Sequence, residues 1–251
     1  MTFDTGAIVL PTGAWARTQR RYLRRDGITI LALTAGDFRP YVFPLFTPAG
    51  FAVTSEAPAD HPHHQSVWIG ADHVHALVPA GEGVTEEYTY NCYINDVFQG
   101  RAPGRIVETA ATFLAAGNDA STIYQSLEWR GPSEWAAPQG RVILAEERTM
   151  RVRMHPDATV LHLRSRLAPV TWPVTMLPLG ITVTSSITIG ESSVPRTASS
   201  VRLVSEAWDD SSVTLSTVLS GMVTVRTRAA AAGSSGSALA RLTSLMLFRE
   251  T

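Results

Sequence analysis

Hydrophobic and polar positions alternate along much of this chain, and a period of two residues predicts β-strands. The clearest segment runs from Val142 to Met154. One face carries the apolar residues Val142, Leu144, Met150, Val152 and Met154, and the other carries Glu147, Thr149, Arg151 and Arg153. Because Glu146 and Arg148 interrupt the apolar face, we expect that end of the strand to reach a polar cavity or the rim of the protein.

Eight further segments are predicted as strands on the same grounds: Gly27–Leu33, Tyr41–Phe46, Val67–Ala71, Thr85–Ile94, Ile106–Leu114, Thr122–Trp129, Val160–Leu167 and Ser200–Trp208. Short strands separated by turn sequences such as Thr-Pro-Ala-Gly and Gly-Asn-Asp are typical of antiparallel sandwiches. The prediction is an all-β fold, an antiparallel β-sandwich with few or no helices.

No strong linker divides the chain, so residues 1–251 are predicted to form a single domain. From about Met176 onward the sequence is rich in Ser, Thr, Val and Ala and has no histidine. We treat 176–251 as an atypical tail, disordered in part. The best helical candidate is Ser237–Phe248, which could equally be disordered. The functional site is therefore expected in the first two thirds.

Composition narrows the class of function. A net charge of -1 offers no basic stripe for nucleic acid. No apolar run approaches the roughly 18 residues that span a bilayer, and no signal peptide is apparent at the start, so a cytoplasmic protein is expected. The chain has no lysine, which removes Schiff-base chemistry and the lysine of a phosphate-binding loop. The single cysteine, Cys92, lies in an aromatic strand-like run and is expected to be a core residue.

Histidines are concentrated in one part of the sequence. All seven lie between His61 and His162, and five fall between His61 and His75. Two His-x-His pairs on neighbouring strands could converge on a divalent metal such as zinc, iron, manganese or copper, with His63, His73 and His75 as ligands. A metal-free acid/base site is an equal alternative. The alternative without a function is that these histidines belong to a polar turn followed by a solvated hairpin.

Other polar groups flank this segment. Arg39-Pro40-Tyr41 places a guanidinium and a phenol before a predicted strand, where the arginine could hold a substrate carboxylate or a sugar hydroxyl, or form a structural salt bridge. Glu87 precedes Tyr88 and Tyr90, and a carboxylate beside aromatic surface suits a sugar ring. Ser66 lies near the histidines without a Gly-x-Ser-x-Gly elbow, which disfavours a serine hydrolase.

The run from Arg39 to Gly50, followed by Asp60-His61-Pro62-His63-His64-Gln65-Ser66-Val67-Trp68, resembles the PmoA-like family of bacterial proteins. The matching residues are Arg39, Tyr41, Asp60, His61, His63, His64 and Trp68. The resemblance implies a supersandwich similar to galactose mutarotase and a carbohydrate or keto-sugar substrate. The Gly-rich segment with Asn or His that family members carry in their last third is not found after Met176, so half of the usual site is in doubt.

These observations lead to three hypotheses. The first is a carbohydrate-active lyase, hydrolase or epimerase, with or without a divalent metal. Its catalytic candidates are Asp60, His61, His63, His64 and Glu87, and its substrate-binding candidates are Arg39, Tyr41, Gln65 and Trp68. The second is a sugar-binding or interaction sandwich without catalysis, and the third is a metal-dependent oxygenase, as the family's name suggests. The expected partner is a small molecule, and a homodimer is left open.

Overall fold

The computed structural model describes residues 1–4, 8–9, 19–57, 63–134, 136–156, 158–184, 199–203, 222–226 and 245–249. Within these ranges the protein is all-β and contains no helix. None of the described residues therefore belongs to a helix long and apolar enough to cross a membrane. The sequence-based prediction of an antiparallel β-sandwich is confirmed.

The described strands follow the chain in this order: β1 (Thr2–Phe3), β2 (Ile8–Val9), β3 (Gln19–Arg25), β4 (Ile28–Ala35), β5 (Pro40–Leu45), β6 (Val67–Gly81), β7 (Val84–Asn91), β8 (Ala102–Pro103), β9 (Arg105–Ala115), β10 (Ala120–Arg130), β11 (Val142–Met154), β12 (Ala158–Pro169), β13 (Val174–Thr184), β14 (Ser199–Leu203), β15 (Met222–Arg226) and β16 (Leu245–Arg249).

These strands form two sheets. The first has ten strands, with the central order β1-β3-β4-β5-β6-β13-β15, and the second has six, in the order β14-β16-β12-β11-β10-β9. Pairing is antiparallel except between β7 and β8. Between the sheets lies one cluster of buried apolar side chains, to which β4 contributes Leu31, β6 contributes Ile69 and β11 contributes Val152.

One sequence prediction is corrected by these sheets. The segment proposed as a helix, Ser237–Phe248, is a strand where it is described, because Leu245–Arg249 pairs with β12 and β14. Residues 237–244 lie outside the described residues. The tail from Met176 onward contributes strands to both sheets, since β13 and β15 belong to the first and β14 and β16 to the second.

The alternation in β11 produces the expected strand with the expected bounds, Val142–Met154. Of the two expectations for its inward charges, a polar cavity or the rim, the rim is wrong. Glu146 and Arg148 are 1% and 4% exposed, so they reach neither a rim nor solvent. They form an ion pair with each other, with Nε of Arg148 2.7 Å from Oε1 of Glu146.

The geometry of β6 decides where a site can form. β5 pairs with β6 only at Val67 and Trp68, whereas β7 pairs with the strand from Val74 onward. Between these two pairings the turn that follows β7 approaches β6, with the backbone nitrogen of Cys92 donating to the carbonyl of Ala71 at 2.8 Å. Side chains from β5, β6 and this turn meet there.

Candidate functional site

Trp68 is the centre of a polar and aromatic group on one face of the first sheet. We call this group the Trp68 cluster, and it comprises Arg39, His63, His64, Trp68, Tyr93 and Asn95. The Trp68 side chain lies on the opposite face of β6 from Val67 and Ile69, because side chains alternate along a strand and those two belong to the apolar core. Trp68 itself is 1% exposed.

The position of the Trp68 ring depends on Gly70. The ring lies across Gly70, and a Cβ atom at that position would meet the ring and the carbonyl oxygen of Cys92, the latter at 2.8 Å. Tyr93 covers the ring, with the two centroids 4.6 Å apart. Glycine is therefore required at position 70 for the indole to lie flat against the sheet.

Arg39 is a buried cation with few partners. It directly precedes β5, is 1% exposed, and its guanidinium carbon lies 4.4 Å from the Trp68 ring centroid. Its Nη2 donates to Oδ1 of Asn95 at 2.5 Å, and its Nη1 approaches the carbonyl of His63 at 3.5 Å. Burial lowers the pKa of Arg39 to about 10, so the group stays charged at neutral pH. None of the carboxylates in the described residues pairs with it.

Two histidines occupy the other side of the cluster. The rings of His63 and His64 are edge to face with centroids 4.5 Å apart. Nε2 of His64 lies 3.4 Å from the hydroxyl of Tyr93, and His64 is 3% exposed. A histidine and a tyrosine hydroxyl in contact with each other can exchange a proton with a molecule bound beside them.

Tyr41 and Gln65 flank the cluster. The register between β5 and β6 pairs Tyr41 with Trp68, and the hydroxyl of Tyr41 donates to Oε1 of Glu56. Oε2 of Glu56 accepts from Nη2 of Arg20 at 2.5 Å. Burial and the Glu56 carboxylate raise the pKa of Tyr41, so its phenol stays protonated at neutral pH and is a hydrogen-bond donor. Gln65 forms an isolated bridge with Glu56.

Several buried polar atoms around Trp68 have no hydrogen-bond partner among the residues that the structure describes: Nε of Arg39, Oε1 of Gln65, Oγ of Ser66, Nε1 of Trp68 and Nδ2 of Asn91. Ser66 also has a left-handed backbone, with a φ of 66°. Unpaired buried polar atoms and strained backbone each cost free energy of folding, about 1–3 kcal/mol per instance. Their concentration here is typical of a ligand-binding site.

Asn91 shapes the turn that carries Tyr93 and Asn95. It is the last residue of β7, and its Oδ1 accepts hydrogen bonds from the backbone nitrogens of Tyr93 at 2.7 Å and Ile94 at 3.0 Å. This side-chain turn reverses the chain beside Trp68. The sequence predictions missed Tyr93, Asn95 and Glu56, although an asparagine closing a predicted strand is a recognisable indication of such a turn.

The other predicted site residues lie elsewhere. His73 and His75 lie five and seven residues beyond Trp68 on β6, roughly 16 and 23 Å along the strand at about 3.3 Å per residue. Nδ1 of His75 lies 2.6 Å from Oε1 of Glu87, and the His73 and His75 rings stack 5.7 Å apart. The structure does not bring Glu87 to the Trp68 cluster.

The three histidines predicted as metal ligands, His63, His73 and His75, are likewise not brought together. In the described part of the chain no three or more His, Cys, Asp or Glu side chains are placed to hold a metal ion. Asp60 and His61, two of the predicted catalytic residues, lie outside the described residues.

Cys92 lies beside the cluster, and its buried thiol is unreactive. It is 3% exposed, and burial raises the pKa of its thiol to about 12 while nearby Arg39 partly opposes that rise. This higher pKa leaves roughly a thousandfold less thiolate at pH 8 than an ordinary cysteine has.

We expect iodoacetamide to alkylate Cys92 in the native protein about a thousandfold more slowly than in the urea-unfolded protein. Comparable rates, measured by intact mass, would show that the thiol is accessible and ionised.

Comparison with known proteins gives a family without an assigned activity. No curated protein and no solved structure shows significant similarity to this chain. A family profile does match, and it covers residues 23–238, which include every residue of the Trp68 cluster and most of both sheets. The chain therefore belongs to the family of unknown function DUF6807.

Proposed function

We propose that the Trp68 cluster binds a small carbohydrate-type molecule and that His64 transfers a proton to or from it. The observation that carries this proposal is the meeting of a histidine pair, a tyrosine hydroxyl and a buried guanidinium around one indole ring. They come from three separate parts of the chain: the segment before β5, the segment that leads into β6, and the turn after β7.

The chemistry follows from the groups present. Histidine ordinarily has a pKa of about 6.5 and exchanges protons at neutral pH. With Nε2 of His64 3.4 Å from the Tyr93 hydroxyl, the pair suits proton abstraction beside a sugar carbonyl, or protonation of a ring oxygen. The resemblance to the PmoA-like family favours a sugar or keto-sugar substrate, and a lyase, a hydrolase or an epimerase would use these groups.

A sandwich that binds without turnover is the second candidate. One observation favours it: Glu87, the carboxylate expected to assist the histidines, contacts His75, which lies seven residues beyond Trp68 on β6. Under this hypothesis the Trp68 cluster still binds the sugar, but no proton is transferred.

Hydrogen exchange in D₂O separates these candidates. The protein is incubated with aldoses, ketoses and sugar acids, and ¹H NMR follows loss of carbon-bound protons, anomer interconversion and bond cleavage. We expect at least one substrate to react faster than in buffer. The double variant His73→Ala/His75→Ala is the control and is expected to react like the parent protein, because those residues lie further along β6 and contact Asp72 and Glu87.

Each outcome decides between the candidates. Saturable binding without any reaction would overturn proton transfer and support the second candidate. Loss of the reaction in the His73→Ala/His75→Ala control would show that the site lies at these histidines and not at the Trp68 cluster. Neither binding nor reaction across the panel would contradict both candidates.

A further inference from the structure

We propose that the ligand carries a carboxylate and that Arg39 binds it, so that the substrate class is an acidic sugar such as a uronate. This inference rests on the proposed function and names its substrate class. It follows from how Arg39 differs from the other buried arginines.

Every other well-buried arginine in the described residues has a carboxylate partner. Arg20 pairs with Glu56, Arg21 with Glu108, Arg101 with Asp72 and Arg148 with Glu146, all at 3.0 Å or less. Arg39 is 1% exposed, and within the described ranges its neighbours are an amide, a distant carbonyl and an indole face. A buried cation is stable when an anion neutralises it, and a ligand can supply that anion.

The unpaired atoms near Trp68 indicate the same chemistry. Three of them are N–H donors: Nε of Arg39, Nε1 of Trp68 and Nδ2 of Asn91. A carboxylate only accepts hydrogen bonds, and its two oxygens have about four acceptor positions. A neutral hydroxyl would bring a further donor of its own, so it matches this set of atoms less well.

Charge favours a carboxylate over a phosphate. A phosphate monoester carries close to two negative charges at neutral pH, whereas Arg39 supplies one positive charge. Arg20, another arginine near the site, is already paired with Glu56. The chain has no lysine that could add a second charge. A planar carboxylate also matches the fork of a single guanidinium.

The first test measures ligand binding. Isothermal titration compares D-galacturonate and D-glucuronate with D-galactose, D-glucose and inorganic phosphate, on the parent protein and on Arg39→Met. We expect a uronate to bind at least about tenfold more tightly than its neutral hexose, and Arg39→Met to abolish that difference. Arg39→Lys keeps the charge without the planar fork and is expected to be intermediate.

The second test needs no ligand and compares two buried arginines. Removing a cation that has no internal counter-charge should leave the Tm of Arg39→Met within about 3 °C of the parent protein, or raise it. Arg148→Met is the matched control, because Arg148 is 4% exposed and is paired with Glu146. Its Tm is expected to fall by about 10 °C, since Glu146 becomes a buried unpaired charge.

The outcomes separate this inference from the proposed function. If neutral hexoses bind as well as uronates and Arg39→Met has no effect, the carboxylate is wrong and the carbohydrate site stands. Phosphate binding in place of uronates overturns the carboxylate as well. A fall in the Tm of ligand-free Arg39→Met as large as that of Arg148→Met shows that the chain already neutralises Arg39. If no sugar and no acid binds, both proposals fail.

Discussion

Glu146→Gln is expected to lower the free energy of unfolding by about 3–5 kcal/mol. The side chain of Glu146 has no exposure to solvent, and its ion pair with Arg148 is buried between the sheets. Its two oxygens accept from Arg148 twice, from Nε1 of Trp129 at 2.7 Å and from Oγ of Ser165 at 2.8 Å. Glutamine removes the charge that compensates Arg148 and turns an amide NH₂ toward donors, so the cost exceeds that of one hydrogen bond.

Urea unfolding measures this cost, and an unchanged m value shows that the same surface is exposed in both proteins. Glu147→Gln is the matched control, because the neighbouring Glu147 is 75% exposed and reaches Arg166 only at 3.7 Å. Its effect should stay within about 0.5 kcal/mol. Equal losses in the two variants would contradict the structure of this pair. Glu146→Leu combined with Arg148→Met should recover most of the loss, because no charge is then left unpaired.

His64→Gln is expected to reduce the rate of the catalysed reaction by about 10²–10⁴-fold, the usual contribution of a general acid or base. Glutamine preserves hydrogen bonding beside Tyr93 but cannot exchange a proton at neutral pH. Because Arg39 is unchanged, the dissociation constant for a uronate should stay within about threefold. Initial rates and titration calorimetry on the same preparations separate the two effects.

The control for this variant is His75→Gln, which changes a histidine seven residues beyond Trp68 on β6 that contacts Glu87. It is expected to keep the parent rate. Should His64→Gln retain more than half of the rate, proton transfer by His64 is wrong. Loss of binding and of reaction in equal measure would instead assign His64 a role in holding the ligand.

The sequence predicted best the features that depend on one strand alone. Val142–Met154 was predicted with its observed bounds, because the alternation of thirteen residues is local. The rim position expected for its two charges was wrong for a physical reason. Their partners, Trp129 and Ser165, come from β10 and β12, and only the register of those strands with β11 brings them beside Glu146.

The candidate site, too, was predicted from the sequence only in part. Arg39, Tyr41 and Trp68 were predicted as neighbours, and the pairing of Tyr41 with Trp68 across β5 and β6 brings them together. The predicted strand Val67–Ala71 ended too early. The observed strand continues to Gly81, and its length separates His73 and His75 from Trp68.

The residues that were missed reach the site through turns. Tyr93 and Asn95 follow β7, and the hydrogen bonds of Asn91 fix the direction of the chain there. Glu56 meets Tyr41 from a segment fifteen residues away. Strand periodicity carries no information about such contacts, because they depend on where a loop returns in space.

The central claim is that ligands bind at the Trp68 cluster and not at the later part of β6 that carries His73 and His75. With seven histidines in the chain, ¹H-¹³C spectra of labelled histidine rings can follow each one during titration with D-galacturonate. Single His→Gln variants assign the signals. We predict saturable shifts for the His63 and His64 rings and unchanged signals for His73 and His75. Shifts confined to His73 and His75, with His63 and His64 unmoved, would contradict the claim.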